Sequence, residues 1–189
     1  MGGVAGHLQH LYDNRQMTFN KMARILSLAS SGQLVGTEKT DGFNIYLGIR
    51  GDEAAWAPSW ARNKGDMSVS GRSFAELAAR PFLGGENVKK VYLDSFKAFS
   101  AAVDSLSPVE LKAVFGENKE IFYNTEIMGP AASQLINYDK NVLSIHRSGH
   151  KMYDAAVDKV VAVPDARTAE ASKVLDRVVD RWEEATAGM

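Results

Sequence analysis

The chain has 189 residues, of which 45% are hydrophobic and 24% charged, the balance of a globular protein. Its 22 Lys and Arg nearly cancel 23 Asp and Glu, leaving a net charge of −1 with the cations scattered, which argues against a tight, salt-driven duplex binder. Cysteine is absent, which excludes disulfides and thiolate metal sites, and no apolar run approaches the roughly 20 residues needed to span a bilayer.

The opening Met1-Gly2-Gly3-Val4-Ala5-Gly6-His7 has neither the basic nor the apolar region of a secretory signal, so the expected setting is cytoplasmic. Its glycines do not make a phosphate loop, because no Lys-Ser/Thr and no strand–helix context follows. The first predicted helix covers 18–29: Thr18 is a suitable cap, Phe19, Met22, Ile25, Leu26 and Ala29 recur at helical spacing, and Ser30-Ser31-Gly32 stops it. The period then changes. Between Gly36 and Ile49 the residues Phe43, Ile45, Leu47 and Ile49 alternate with others, as in a half-buried strand, with Asp41-Gly42 as a turn before it. Gly51-Asp52 ends this strand, and a second short one is predicted from Ala54 to Ala57.

Ser73 and Glu76 have capping-box spacing and predict a helix over 74–79. A longer helix is expected over 88–106, capped by Asn87, with Val88, Val91, Tyr92, Phe96, Phe99, Val103 and Leu106 on one core-facing stripe. Ser107-Pro108-Val109-Glu110 opens another, with Pro at the first turn and Glu three after Ser, again a capping-box spacing. Strands follow at 120–127 and 142–146, then an amphipathic helix from about 166 to 187 with Ala171, Leu175, Val178 and Trp182 on one side. Mixed elements of this kind predict an α+β fold, with an antiparallel sheet and flanking helices. One domain over 1–165 and a C-terminal helix over 166–189 are the expected organisation.

The sharpest local feature is Thr37-Glu38-Lys39-Thr40-Asp41-Gly42-Phe43-Asn44. A Lys at the end of one strand, before a tight turn into another, presents its ammonium at the mouth of a sheet. Such a Lys becomes a nucleophile only when desolvation or neighbouring cations remove its proton. It could then attack the α-phosphate of a nucleotide, with a divalent cation neutralising the departing pyrophosphate. The simpler reading of the same residues is a hairpin with exposed polar side chains. His7 with His10, and His146 with His150, have spacings seen at metal sites, but without an assured third ligand they read as surface or hydrogen-bonded histidines, and no metal site is assigned.

The segment Glu38 to Asn44 resembles motif I of the covalent nucleotidyltransferases, and most of all the ATP-dependent RNA ligases of large tailed phages and trypanosome editing complexes. The resemblance implies that Lys39 takes up AMP from ATP in the presence of Mg²⁺, with Glu38, Asp41 and Asn44 around the nucleotide. It matches Arg62, in Ala61-Arg62-Asn63-Lys64-Gly65-Asp66, to a nucleotide- or phosphate-contacting motif, and Glu126, ending Ile121-Phe122-Tyr123-Asn124-Thr125-Glu126, to a ribose contact. His146 is the one residue of the 142–146 strand that could stack on the base, where the family has an aromatic ring. The matched region runs from about 34 to 147.

Two further family motifs are missing. No Glu-Gly pair occurs anywhere in the chain, and after Glu126 the lysines Lys140, Lys151, Lys159 and Lys173 are never two apart. Without them Lys39 lacks a source of pKa depression and the phosphate lacks its main cationic clamp. Three expectations follow: an enzyme that adenylates itself and joins RNA ends; a catalytically incomplete fold serving as a binding or structural module; or a piece of a longer protein whose remaining strands lie beyond Met189. The stretch from Gly2 to Asp13 also resembles proteins of large tailed phages carrying a similar Lys-Thr-Asp-Gly segment, which adds host cytoplasm and virion as locations, and other phage structural proteins as partners.

Overall fold

A computed structural model describes residues 16–34, 42–51, 56–82, 85–118, 120–130, 138–139, 141–146, 149–164, 171 and 174. The chain divides into two compact units, Met1–Thr40 and Asp41–Met189. In the first, α1 spans Phe19–Ser30, capped by the Thr18 hydroxyl, which accepts the Lys21 N–H at 3.3 Å. Ser31 caps its other end, and Gly32 continues at φ +70°.

The second unit is α+β, built on an open antiparallel sheet with flanking helices. Its strands are β1 (Phe43–Arg50), β2 (Ala57–Ala61), β3 (Ile121–Met128), β4 (Val142–Ile145), β5 (Lys151–Asp154) and β6 (Lys159–Ala162). Its helices are α2 (Lys64–Met67), α3 (Phe74–Ala78), α4 (Gly85–Asp104) and α5 (Pro108–Phe115). Strand order is β2-β1-β3-β5-β6, with β4 also paired to β3.

Alternation along the strands divides the sheet into two faces. On one, Ile45, Leu47, Ile49, Trp60, Ile121, Tyr123, Ile127 and Leu143 join the stripe of α4 in the main core. Phe115 of α5 meets Phe99 and Tyr123 edge-on, at centroid distances of 6.2 and 5.6 Å, and the Tyr123 hydroxyl donates to the Val114 carbonyl at 2.6 Å. Ala171 and Val174, helical and buried, belong to the same core, and the remainder of the helix expected over 166–187 lies outside the described residues.

The opposite face carries Tyr46, Ser59, Ala61, Phe122 and Met128, all buried. Gly48 stands beside Phe122, where a Cβ would come within 2.9 Å of the ring, so the absent side chain is what lets the ring lie across β1. Burial drives the Tyr46 phenol up to about 12. Its hydroxyl and Ser59 Oγ have no hydrogen-bond partner among the described residues.

The structure corrects the sequence reading at three places. The second strand is Ala57–Ala61 rather than Ala54–Ala57; Pro58 disguises it, but β2 is an edge strand, where a residue without an N–H is tolerated. Residues 52–55 lie outside the described residues. Helix α4 begins at Gly85, two residues before its expected cap, which places Asn87 inside the first turn. Two strands were not anticipated, β5 and β6. They form a hairpin, Lys151 opposite Ala162 and Asp154 opposite Lys159, turning through Asp158 at φ +50°. Among the described residues no helix is long and apolar enough to cross a membrane.

Candidate functional site

The candidate site lies where β1 enters the sheet beside the far end of β3. Asn44 of β1 sits directly opposite Glu126 of β3, and Glu126 in turn opposite Ser144 of β4. Residues paired across antiparallel strands project to the same face, so these polar side chains form one row. The Asn44 amide donates to the Asn124 side-chain oxygen and, at 3.1 Å, to the Thr125 carbonyl. Asn124 precedes Glu126 by two, the strand period, and therefore shares its face.

Both Glu126 oxygens have neighbours. Oε1 accepts the Gly42 N–H at 3.1 Å, and Oε2 lies 3.5 Å from His146 Nε2. The Glu126 side chain is 14% exposed and that of His146 33%, so the pair opens to solvent on the histidine side. His146, expected as a stacking ring, stands beside the row as the neighbour of a carboxylate.

The second edge of β3 is shared. Its far half, Thr125–Met128, pairs with β4, and Ile121 and Phe122 pair with β5. At the changeover Asn124 donates its N–H to His150 Nδ1 at 3.3 Å, while its carbonyl accepts the His146 N–H at 3.0 Å. His150 is 4% exposed, and its ring lies 4.6 Å from that of Tyr123. Of the two readings left for it, surface or hydrogen-bonded, His150 takes the second.

Arg62 follows β2 at the start of α2. Its N–H is taken by Asp66 Oδ2 at 3.0 Å, and its side chain is exposed. Asp66 is a buried hub: its Oδ1 accepts from Arg72 Nε at 3.0 Å, and its own N–H is capped by Asn63 Oδ1 at 2.9 Å. Arg72 continues to Glu76, whose carboxyl is held down to about 2, chiefly by the Ser73 backbone and side chain. No described hydrogen bond or ion pair joins the Arg62 side chain to Asn44, Glu126 or His146. Tyr92 of α4 is a buried phenol. Burial raises its phenol, the Arg62 charge opposes that, Glu126 reinforces it and Arg80 opposes it. The Tyr92 hydroxyl has no hydrogen-bond partner among the described residues, and its ring lies 5.0 Å from Phe82 and 5.7 Å from Phe43.

Glu38, Lys39 and Asp41 lie outside the described residues. Of the predicted site, Asn44, Glu126 and His146 come together, and Arg62 lies between β2 and α2 with no bond to them among the described residues. Asn124, Asp66 and Tyr92 were missed. The two-residue spacing from Glu126 could have found Asn124, whereas Tyr92 reads in sequence as one more residue of the core stripe. Among the described residues no group of three or more His, Asp or Glu is arranged to hold a metal ion. No protein-family model matches the chain, and comparisons with curated proteins and with solved structures also return no match.

Proposed function

We propose that the chain is an RNA-ligase-like nucleotidyltransferase domain that binds ATP and takes up AMP on Lys39. The observation that carries this reading is the row of Asn44 and Glu126 across β1 and β3, with Glu126 bonded to the amide of Gly42, the residue that closes Lys39-Thr40-Asp41-Gly42. In the proposed step neutral Lys39 Nζ attacks the α-phosphorus, an N–P bond forms, and the bond to the pyrophosphate oxygen breaks as pyrophosphate leaves; a divalent cation brought with ATP would neutralise its charge. The amine proton passes to solvent. The AMP would next pass to a 5′-phosphate RNA end. Asn44 and Arg62 would contact the nucleotide, with Glu126 and His146 beside Asn44.

A second reading is a nucleotide-binding or structural module without the chemistry, including a component of a tailed-phage virion. It is favoured by the lack of any Glu-Gly pair in the sequence and of any paired lysines after Glu126. Intact mass after incubation with ATP and Mg²⁺ separates the two. A single AMP adduct on the wild type and none on Lys39→Ala is the expected result. No adduct at ATP concentrations that saturate binding refutes the enzyme and leaves the module.

A further inference from the structure

The Gly42 amide and the Glu126 carboxylate meet in a contact that nucleotide chemistry alone does not require. Gly42 is pressed against β3: a Cβ there would lie 2.3 Å from the Ile127 carbonyl oxygen and 2.9 Å from Met128 Cγ. No side chain larger than hydrogen fits without moving the strand. Its N–H points to Glu126 Oε1 at 3.1 Å, and the other carboxylate oxygen is turned toward His146. The Glu126 side chain is 14% exposed, so this bond is formed largely away from water, where leaving the Gly42 N–H without an acceptor is costly.

We propose that Glu126 is a positioning residue: its carboxylate clamps the Gly42 amide and so fixes the point at which the chain passes from the Lys39–Asp41 stretch into β1. His146, at the end of β4, backs the clamp by facing the second oxygen. Length is the decisive property of the clamp, because the carboxylate must reach from β3 to the first residue before β1. Charge is secondary, since an amide oxygen at the same place can accept the same N–H. The bearing of the clamp on AMP transfer rests on the function proposed above; the clamp itself does not.

Two variants separate length from charge. Glu126→Gln keeps the reach and an acceptor, and Glu126→Asp keeps the charge and draws the acceptor back by one methylene. Hydrogen exchange of the Gly42 amide reads the clamp directly, with the Leu47 and Tyr123 amides as mid-sheet controls. Glu126→Gln is expected to hold Gly42 protection within about threefold of wild type, and Glu126→Asp to lose about tenfold or more, with the controls unchanged. Wild-type protection in Glu126→Asp, or equal loss in both variants, overturns the clamp. If Glu126→Asp does not fold, Glu126→Gln decides: retained protection supports the clamp and lost protection overturns it. In the labelling reaction the clamp calls for a slower AMP transfer at saturating ATP in Glu126→Asp, an unchanged ATP Kd, and a normal rate in Glu126→Gln. A raised Kd in both variants at an unchanged rate would instead make Glu126 a direct nucleotide contact and overturn the positioning role. A wild type that takes no AMP defeats the proposed function, while the exchange measurement still decides the clamp.

Discussion

Individual side chains in this fold often do work that their residue type does not advertise. His150 stands in for a backbone carbonyl, accepting the Asn124 N–H where β4 has ended and β5 has not begun. That role depends on a pairing changeover between strands far apart in sequence, so its spacing from His146 could not disclose it. Glu126 was singled out in the sequence, yet its bond to Gly42 was not legible there, because only the β1–β3 register brings the two together. Tyr46 is the most testable single residue. Its phenol is pushed up to about 12 by burial, against 10 for an ordinary tyrosine. A folded-state value above the unfolded one means that this contribution to stability is fully present below pH 10 and is lost as pH rises through 12. The ultraviolet titration of wild type minus Tyr46→Phe should therefore show one phenol with a midpoint near 12, and a midpoint near 10 would refute the assignment.

At the scale of elements, local signals with a physical mechanism transferred well. Both capping boxes form: Ser73 with Glu76 at α3, and Ser107 with Glu110 at α5. In the second, Ser107 Oγ accepts the Glu110 N–H at 3.3 Å while the Ser107 N–H donates to Glu110 Oε2 at 3.0 Å, and Pro108 occupies the first turn. Ser107→Ala should cost about 1 kcal/mol in urea unfolding with the slope unchanged, and a loss below about 0.3 kcal/mol would show that water replaces the cap. The alternation of β1 was equally plain, since Ile45, Leu47 and Ile49 all enter the core. The elements that escaped were short and held by their neighbours. Strands β5 and β6 have four residues each and no fully buried side chain, so their pattern is weak without β3 beside them. Strand β2 was displaced because Pro58 looks like a breaker until its edge position is known.

For the second unit as a whole, the sheet is the common floor of two differently used faces. The helix-covered face gathers most of the apolar burial, and Phe115 sits near its centre with 1% exposure, touching Phe99 of α4 and Tyr123 of β3. Phe115→Ala should cost about 3–5 kcal/mol, read as a lowered denaturant midpoint at constant slope. A loss below about 1 kcal/mol would mean that the surrounding rings collapse into the space. The α+β class and the antiparallel sheet were readable because they follow from periodicity. The grouping of Asn44, Glu126 and His146 was readable only through a resemblance, since nothing in their separate spacings joins them.

The edge position of β2 has a colloidal consequence. An exposed sheet edge invites another chain to add a strand, and repetition of that event gives aggregates. Here Pro58 offers no N–H, and the Trp60 N–H and carbonyl are both taken by Arg72 at 3.0 and 2.8 Å. An incoming strand would find no continuous ladder to copy. The same proline that hid the strand from view closes that side of the sheet to recruitment of a foreign chain.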